Sequence, residues 1–234
     1  MIPIRDDNPA AKPPLITVTF IALCSLVFLW QQTLTQDAQE IVVRTMGAIP
    51  AVLIGGVFLP AEFQQLPALA TIFTSMFLHG GWMHLLGNML YLWIFGNNIE
   101  DAMGHTRFIV FYLLCGVIAV FTHALPNADS AIPMIGASGA ISGVLGAYLL
   151  LYPHARVLVL IWLGFFITTV RLPAVIVLGF WFGFQLLSSA IADSQTGGVA
   201  WGAHIGGFVA GLTLIGIFKR KGVRLFAPAR RDRT

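Results

Sequence analysis

The sequence predicts an all-α membrane protein, a six-transmembrane-helix bundle with a long, partly embedded loop between its first two spans. Three observations carry this prediction. Hydrophobic residues make up 57% of the 234 residues and charged residues only 10%, with a mean hydropathy of +0.84, so the solvent for most of the chain must be lipid. Apolar runs recur at close to the length a helix needs to cross hydrocarbon. The basic residues crowd to one side of those runs, as they do in membrane proteins of fixed orientation.

The runs are Leu15–Trp30, Trp82–Asn97, Phe108–Leu125, Ile135–Tyr152, Pro173–Ala192 and Val199–Phe218. They make one membrane domain over residues 15–218, between an N-terminal tail (1–14) and a basic C-terminal tail (219–234). The first run is kept as a span, because Gln31–Gln36 lacks a small-x-small cleavage pattern and five further runs follow. Segment 157–170 is apolar but too short to cross alone, with Arg156 before it and Arg171 and Pro173 after it; a loop or a half-inserted piece is expected. Between the first two spans, Gln31 to Gly81 is too long for a turn. Its apolar piece Ala48–Leu59 is interrupted by Pro50, Gly55 and Gly56, so an interfacial or half-embedded loop is expected.

Six crossings put both termini on one side. Arg5, Lys12, Arg107, Arg156, Arg171 and the seven basic residues from Lys219 onward fall on that side, twelve of thirteen, and only Arg44 falls outside. Such an excess marks the cytoplasmic face. The termini are therefore expected to be cytoplasmic, with the second, fourth and sixth spans starting at the outer face; from the chain's size, a plasma (inner) membrane is the expected location. The net charge of +3 is concentrated in the tail, which fits orientation and contact with membrane lipid rather than a nucleic-acid partner. Cys24 and Cys115 lie inside apolar runs and read as small core hydrophobes. No cofactor or metal is expected: no His-Glu-x-x-His pattern occurs, and His79 and His84 are five apart.

Polar residues inside spans are costly and default to functional candidates. They gather near the starts of the three even-numbered spans: His84 and Asn88 in the second, Gly136-Ala137-Ser138-Gly139 in the fourth, Trp201-Gly202-Ala203-His204 in the sixth. Entering from the same face, they reach similar depth. His84 and Asn88, four apart, share a helix face. Small residues supply close approach, Gly139 and Gly143 in the fourth span, Gly198, Gly202 and Gly206 on one face of the sixth and Ala203, Gly207 and Gly211 on another. Close packing of those two helices would bring the Ser138 hydroxyl to the His204 imidazole, a nucleophile with its general base. The orienting carboxylate of a triad is missing from the candidates, so a catalytic dyad is expected. The Ser138 backbone N–H, His84 and Asn88 are the expected oxyanion donors, with Gly136 grouped beside them. His79 is expected to bond loop backbone, and Glu100 to fix a helix end.

Gly136-Ala137-Ser138-Gly139, Ala203-His204-x-Gly206-Gly207, His79-x-x-x-x-His84-x-x-x-Asn88 and Gly96-x-x-x-Glu100-x-x-x-Gly104 together resemble the rhomboid family of intramembrane serine proteases, over roughly Leu69 to Phe218. The resemblance implies a rhomboid-like bundle that hydrolyses peptide bonds of transmembrane protein substrates, without metal, through an acyl-enzyme on Ser138. It implies that the fifth span or the loop Ile191–Val199 opens to admit substrate, and that small residues precede the scissile bond. Two positions depart from the pattern. Many members carry Trp-Arg where Ala70 and Thr71 stand, and some carry a tyrosine stacked on the base where Ser142 stands. A client-binding pseudoprotease and a small multispan transporter are the alternative functions.

Overall fold

The computed structural model describes residues 1–191 and 198–227. Nine α-helices lie among the described residues. They are α1 (Leu15–Gln32), α2 (Gln36–Met46), α3 (Pro50–Leu53), α4 (Ala68–Thr74), α5 (Trp82–Met103), α6 (His105–Ala124), α7 (Ser138–Leu151), α8 (Ala174–Ile191) and α9 (Trp201–Phe218). The chain is a multi-pass membrane protein: α1, α6 with its extension to Asn127, α8 and α9 are long and apolar enough to cross a bilayer. Two further helices, α5 and α7, fall outside that group for different reasons. His84, Asn88, Asn97 and Asn98 dilute the apolar character of the 22-residue α5, and α7 is apolar but only 14 residues long. Both carry candidate site residues.

An all-α chain is not what the structure contains. A three-stranded antiparallel sheet in the order β1-β2-β3 is built from β1 (Ile2–Asp6), β2 (Arg156–Leu163) and β3 (Phe166–Pro173). The segment expected as a loop or half-inserted piece is thus a hairpin between α7 and α8, with Leu163 paired to Phe166 across a two-residue turn. Its residues explain this: Val157, Val159, Ile161 and Val170 favour a pleated surface, and Gly164 takes the left-handed conformation (φ 65°) that such a turn requires. Val157 and Val159 are buried in the main core. β1 lies within the stretch read as an N-terminal tail and closes over β2, with Asp7 Oδ1 accepting from Arg156 N–H at 2.8 Å.

The connection from α1 to α5 folds into short helices rather than crossing. Ala48, Ile72 and Met76 pack with Met134, Ala119 and Val120 in a second small core, and Ala48 and Met134 exchange backbone hydrogen bonds. At Ala70-Thr71 this chain ties its loop by other means. The Thr71 hydroxyl bonds Ala68 O at 2.6 Å, and the Thr74 hydroxyl bonds Met46 O at 2.6 Å. Cys24 and Cys115 are free and buried.

Glycine decides the centre of the bundle. A Cβ added at Gly207 would fall on the carbonyl oxygen of Gly139, and one added at Gly211 on that of Gly143, so α7 and α9 touch backbone to backbone. Gly202 and Gly206 lie on the opposite side of α9, against His123 and Thr122 of α6. The two small-residue faces of α9 therefore serve two different neighbours. Glu100 fixes the start of α1. Its carboxylate accepts from Ile16 N–H (2.9 Å), Thr17 N–H (2.8 Å) and the Thr17 hydroxyl (2.7 Å), and it pairs with His105 Nδ1 at 2.6 Å.

Candidate active site

The backbone contact between α7 and α9 sets the distance between their first turns. Ser138 opens α7 and His204 sits in the first turn of α9, and His204 Nε2 lies 2.8 Å from Ser138 Oγ. Both side chains are half-buried, screened from bulk water yet reachable. The hydroxyl rotor can present its proton to Nε2 only if that nitrogen carries none, which requires the tautomer protonated at Nδ1.

The partner of Nδ1 is a residue that sequence reasoning missed. Gln185, on α8, places Oε1 2.8 Å from His204 Nδ1. Its amide nitrogen donates to Trp181 O at 3.3 Å, which assigns the other amide atom as the oxygen facing the ring. Gln185 is 4% exposed. The signal was present as the single amide side chain of a largely apolar span, which belongs with the intramembrane polar groups. Trp181 and Trp201 flank the imidazole at centroid distances of 6.0 and 6.1 Å. At the position of the family's stacking tyrosine, the Ser142 hydroxyl instead bonds Ser138 O at 2.6 Å and does not meet the base.

His84 and Asn88 converge on the turn before the nucleophile. Gly136 is left-handed (φ 118°), and a Cβ there would meet His84 Nε2 at 2.6 Å and Asn88 Nδ2 at 3.6 Å. Only glycine leaves room for those two side chains. Gly80 N–H donates to His84 Nδ1 at 3.4 Å, so the ring proton sits on Nε2 and faces Gly136. Asn88 Nδ2 is buried without a hydrogen-bond partner. An orphaned buried donor costs about 1–3 kcal/mol, and a group that later accepts from it removes that cost. Gly136 needs one correction: its N–H already donates to Ser75 O at 2.8 Å, so it provides space and not an oxyanion bond. The start of α7 has no side-chain cap, which leaves its amide end unshielded by a side chain.

His79 stays outside this group. Its ring Nδ1 meets Phe77 O at 3.3 Å and its N–H donates to Gln31 Oε1 at 3.2 Å; burial and the neighbouring His84 pull its pKa down to about 4, so it is neutral. Among the described residues, no three His, Cys, Asp or Glu side chains gather into a metal-ligating group. The expected opening loop falls on residues 192–197, outside the described residues; Gly198, just beyond them, has φ 133°.

A model of the rhomboid domain matches residues 67–221, which covers the site, all of α5 to α9 and the second small core apart from Ala48. Among curated proteins, the chain is 33% identical over 151 residues to rhomboid protein 1, mitochondrial, of Saccharomyces cerevisiae, covering 61% of this chain and 40% of that one. It is 34% identical over 143 residues to rhomboid protease GluP of Bacillus subtilis (60% and 24%). It is 32% identical over 170 residues to presenilin-associated rhomboid-like protein A, mitochondrial, of Danio rerio (68% and 41%). The matched segment thus spans well under half of each of these relatives.

Proposed function

The chain belongs to the rhomboid family, and from that premise we propose that it is an intramembrane serine endopeptidase acting on transmembrane protein substrates through a Ser138–His204 dyad. The observation that carries the proposal is the 2.8 Å contact between Ser138 Oγ and His204 Nε2, in a half-buried site inside an apolar bundle.

In the acylation step, His204 Nε2 takes the Ser138 hydroxyl proton as Oγ bonds to the scissile carbonyl carbon. The carbonyl oxygen becomes an oxyanion within reach of His84 Nε2–H, Asn88 Nδ2–H and the Ser138 N–H. Collapse breaks the C–N bond, and the imidazolium proton leaves with the amine. A water molecule then attacks the acyl carbon, with His204 again as base, and releases the acid and free Ser138.

Depth supports the same reading. A 14-residue helix spans about 21 Å of a hydrocarbon core about 30 Å thick. If α7 reaches the cytoplasmic face, its first turn lies roughly 10 Å below the outer surface, where a substrate span would enter sideways. By the charge rule the termini are cytoplasmic and the site faces the outer side, and the membrane of this reading is the plasma (inner) membrane; the yeast and zebrafish relatives are named mitochondrial. Lipid is then a constant partner, and no nucleic acid or metal enters the reaction.

The test is cleavage of a single-span membrane substrate in liposomes by wild type, Ser138→Ala and His204→Ala. Loss in both variants with folding retained supports the dyad. Cleavage that persists in Ser138→Ala refutes it, and absence of wild-type cleavage across a substrate panel favours a client-binding pseudoprotease.

A further inference from the structure

The base of the proposed dyad is held on three sides, by Ser138 from α7, by its own backbone on α9, and by Gln185 from α8. The third contact has chemical content. An imidazole with one ring proton can carry it on either nitrogen, and only the tautomer protonated at Nδ1 leaves Nε2 free to accept from a serine hydroxyl. In water the two forms interconvert readily. Here the choice is made by an acceptor at Nδ1. Gln185 Oε1 is that acceptor because its amide nitrogen donates to the Trp181 carbonyl oxygen, and reversal would set the amide oxygen against that oxygen.

We propose that Gln185 is the positioning residue of this site, which fixes the tautomer and orientation of His204 and makes the competence of the base depend on how α8 is seated. This rests on the serine-protease reading above. Gln185 touches neither substrate nor the reacting atoms and acts only through His204. Because the contact comes from a different helix than the base, a displacement of α8 that opens the 2.8 Å bond releases the ring to the unproductive tautomer. Ser142, one turn after the nucleophile, bonds Ser138 O and cannot substitute.

An amide in this role has a signature that a merely structural glutamine lacks. A neutral acceptor selects the tautomer but stabilises the imidazolium formed during attack less than a carboxylate would. The titratable groups facing His204 are His84 from α5 and His123 from α6, and among the described residues no carboxylate bonds it. A carboxylate placed at position 185 would be the first anion beside the ring. It would favour the protonated imidazole and move the acid limb of the pH profile upward.

The experiment uses the full chain in detergent, with a fluorophosphonate probe whose phosphorus bonds Ser138 Oγ as fluoride leaves, and a cleavable single-span substrate. Gln185→Leu and Gln185→Glu are compared with wild type, folding being followed by thermal melting. Gln185→Leu is expected to slow labelling and kcat at least about tenfold with KM changed less than about twofold. Gln185→Glu is expected to restore labelling to near wild type, with an acid limb raised by about one pH unit. Wild-type rates in a folded Leu variant overturn the inference while leaving the protease reading intact. So does a Glu variant whose acid limb stays in place, and that arm decides the matter if the Leu variant does not fold. A wild type that the probe does not label at Ser138, or that labels equally in His204→Ala, refutes the protease reading itself, and the role of Gln185 with it.

Discussion

Replacing Gly207 by alanine adds one methyl group where α9 rests on α7. That methyl would land on the carbonyl oxygen of Gly139, a backbone atom that no rotamer change can remove. Relief to ordinary van der Waals contact requires the helix backbones to part by roughly an ångström. The Ser138 Oγ to His204 Nε2 separation starts at 2.8 Å, and an opening of that size carries it beyond the limit of a useful hydrogen bond, about 3.5 Å. Overpacking of this kind costs about 1–3 kcal/mol, and misplacement of a reacting group by about an ångström costs on the order of 10²-fold in rate. Gly207→Ala is therefore expected to lower the melting temperature and to slow fluorophosphonate labelling at Ser138 about a hundredfold in the fraction that remains folded. The control is Gly216→Ala on the same helix, where an added Cβ meets nothing within 4 Å; it is expected to leave labelling unchanged and to stabilise by about 0.5–1 kcal/mol. Equal melting and labelling in the two variants would refute the claim that glycine contact sets the distance between nucleophile and base.

Asn88→Ala removes a buried donor that has no partner in the resting protein; kcat is expected to fall about 10²-fold with little change in KM and no loss in melting temperature, since nothing in the resting state is unpaired by it. Glu100→Gln weakens the acceptor of two backbone amides at the start of α1 and the pairing with His105, and is expected to destabilise by about 1.5–3 kcal/mol in chemical denaturation while the labelling rate per folded molecule stays unchanged. Asp6 ends β1, and the Tyr148 hydroxyl donates to it. Burial, partly offset by that bond, raises its pKa from 3.8 to about 6. The folded state therefore holds the proton more tightly than the unfolded chain, and the stability that goes with it is complete below about pH 4 and lost as the pH rises through 6. Asp6→Asn keeps an acceptor for Tyr148, so it is expected to melt with wild type at pH 4 and above it at pH 7, by at most about 3 kcal/mol; a pH-independent difference would contradict the assignment.

The membrane class, the helical runs and the glycine faces were legible in the sequence because each is a local or periodic signal. A run of apolar residues reports its own solvent, and residues four apart report a shared helix face wherever the helix packs. Ser138, His204, His84 and Asn88 could be grouped because span parity places alternate helix starts at one depth. Three features needed the tertiary structure. The sheet joins residues 2–6 to residues 156–173, and pairing across so many positions leaves no periodicity in either segment that names its partner. The engagement of the Gly136 N–H with Ser75 depends on where the loop before α5 folds back. Gln185 was visible only as a polar residue in an apolar helix, and the same amide would look identical bonding any neighbouring helix. What makes it the partner of His204 is the seating of α8 against α9, a contact between side chains nineteen positions apart that exists only once the bundle has closed.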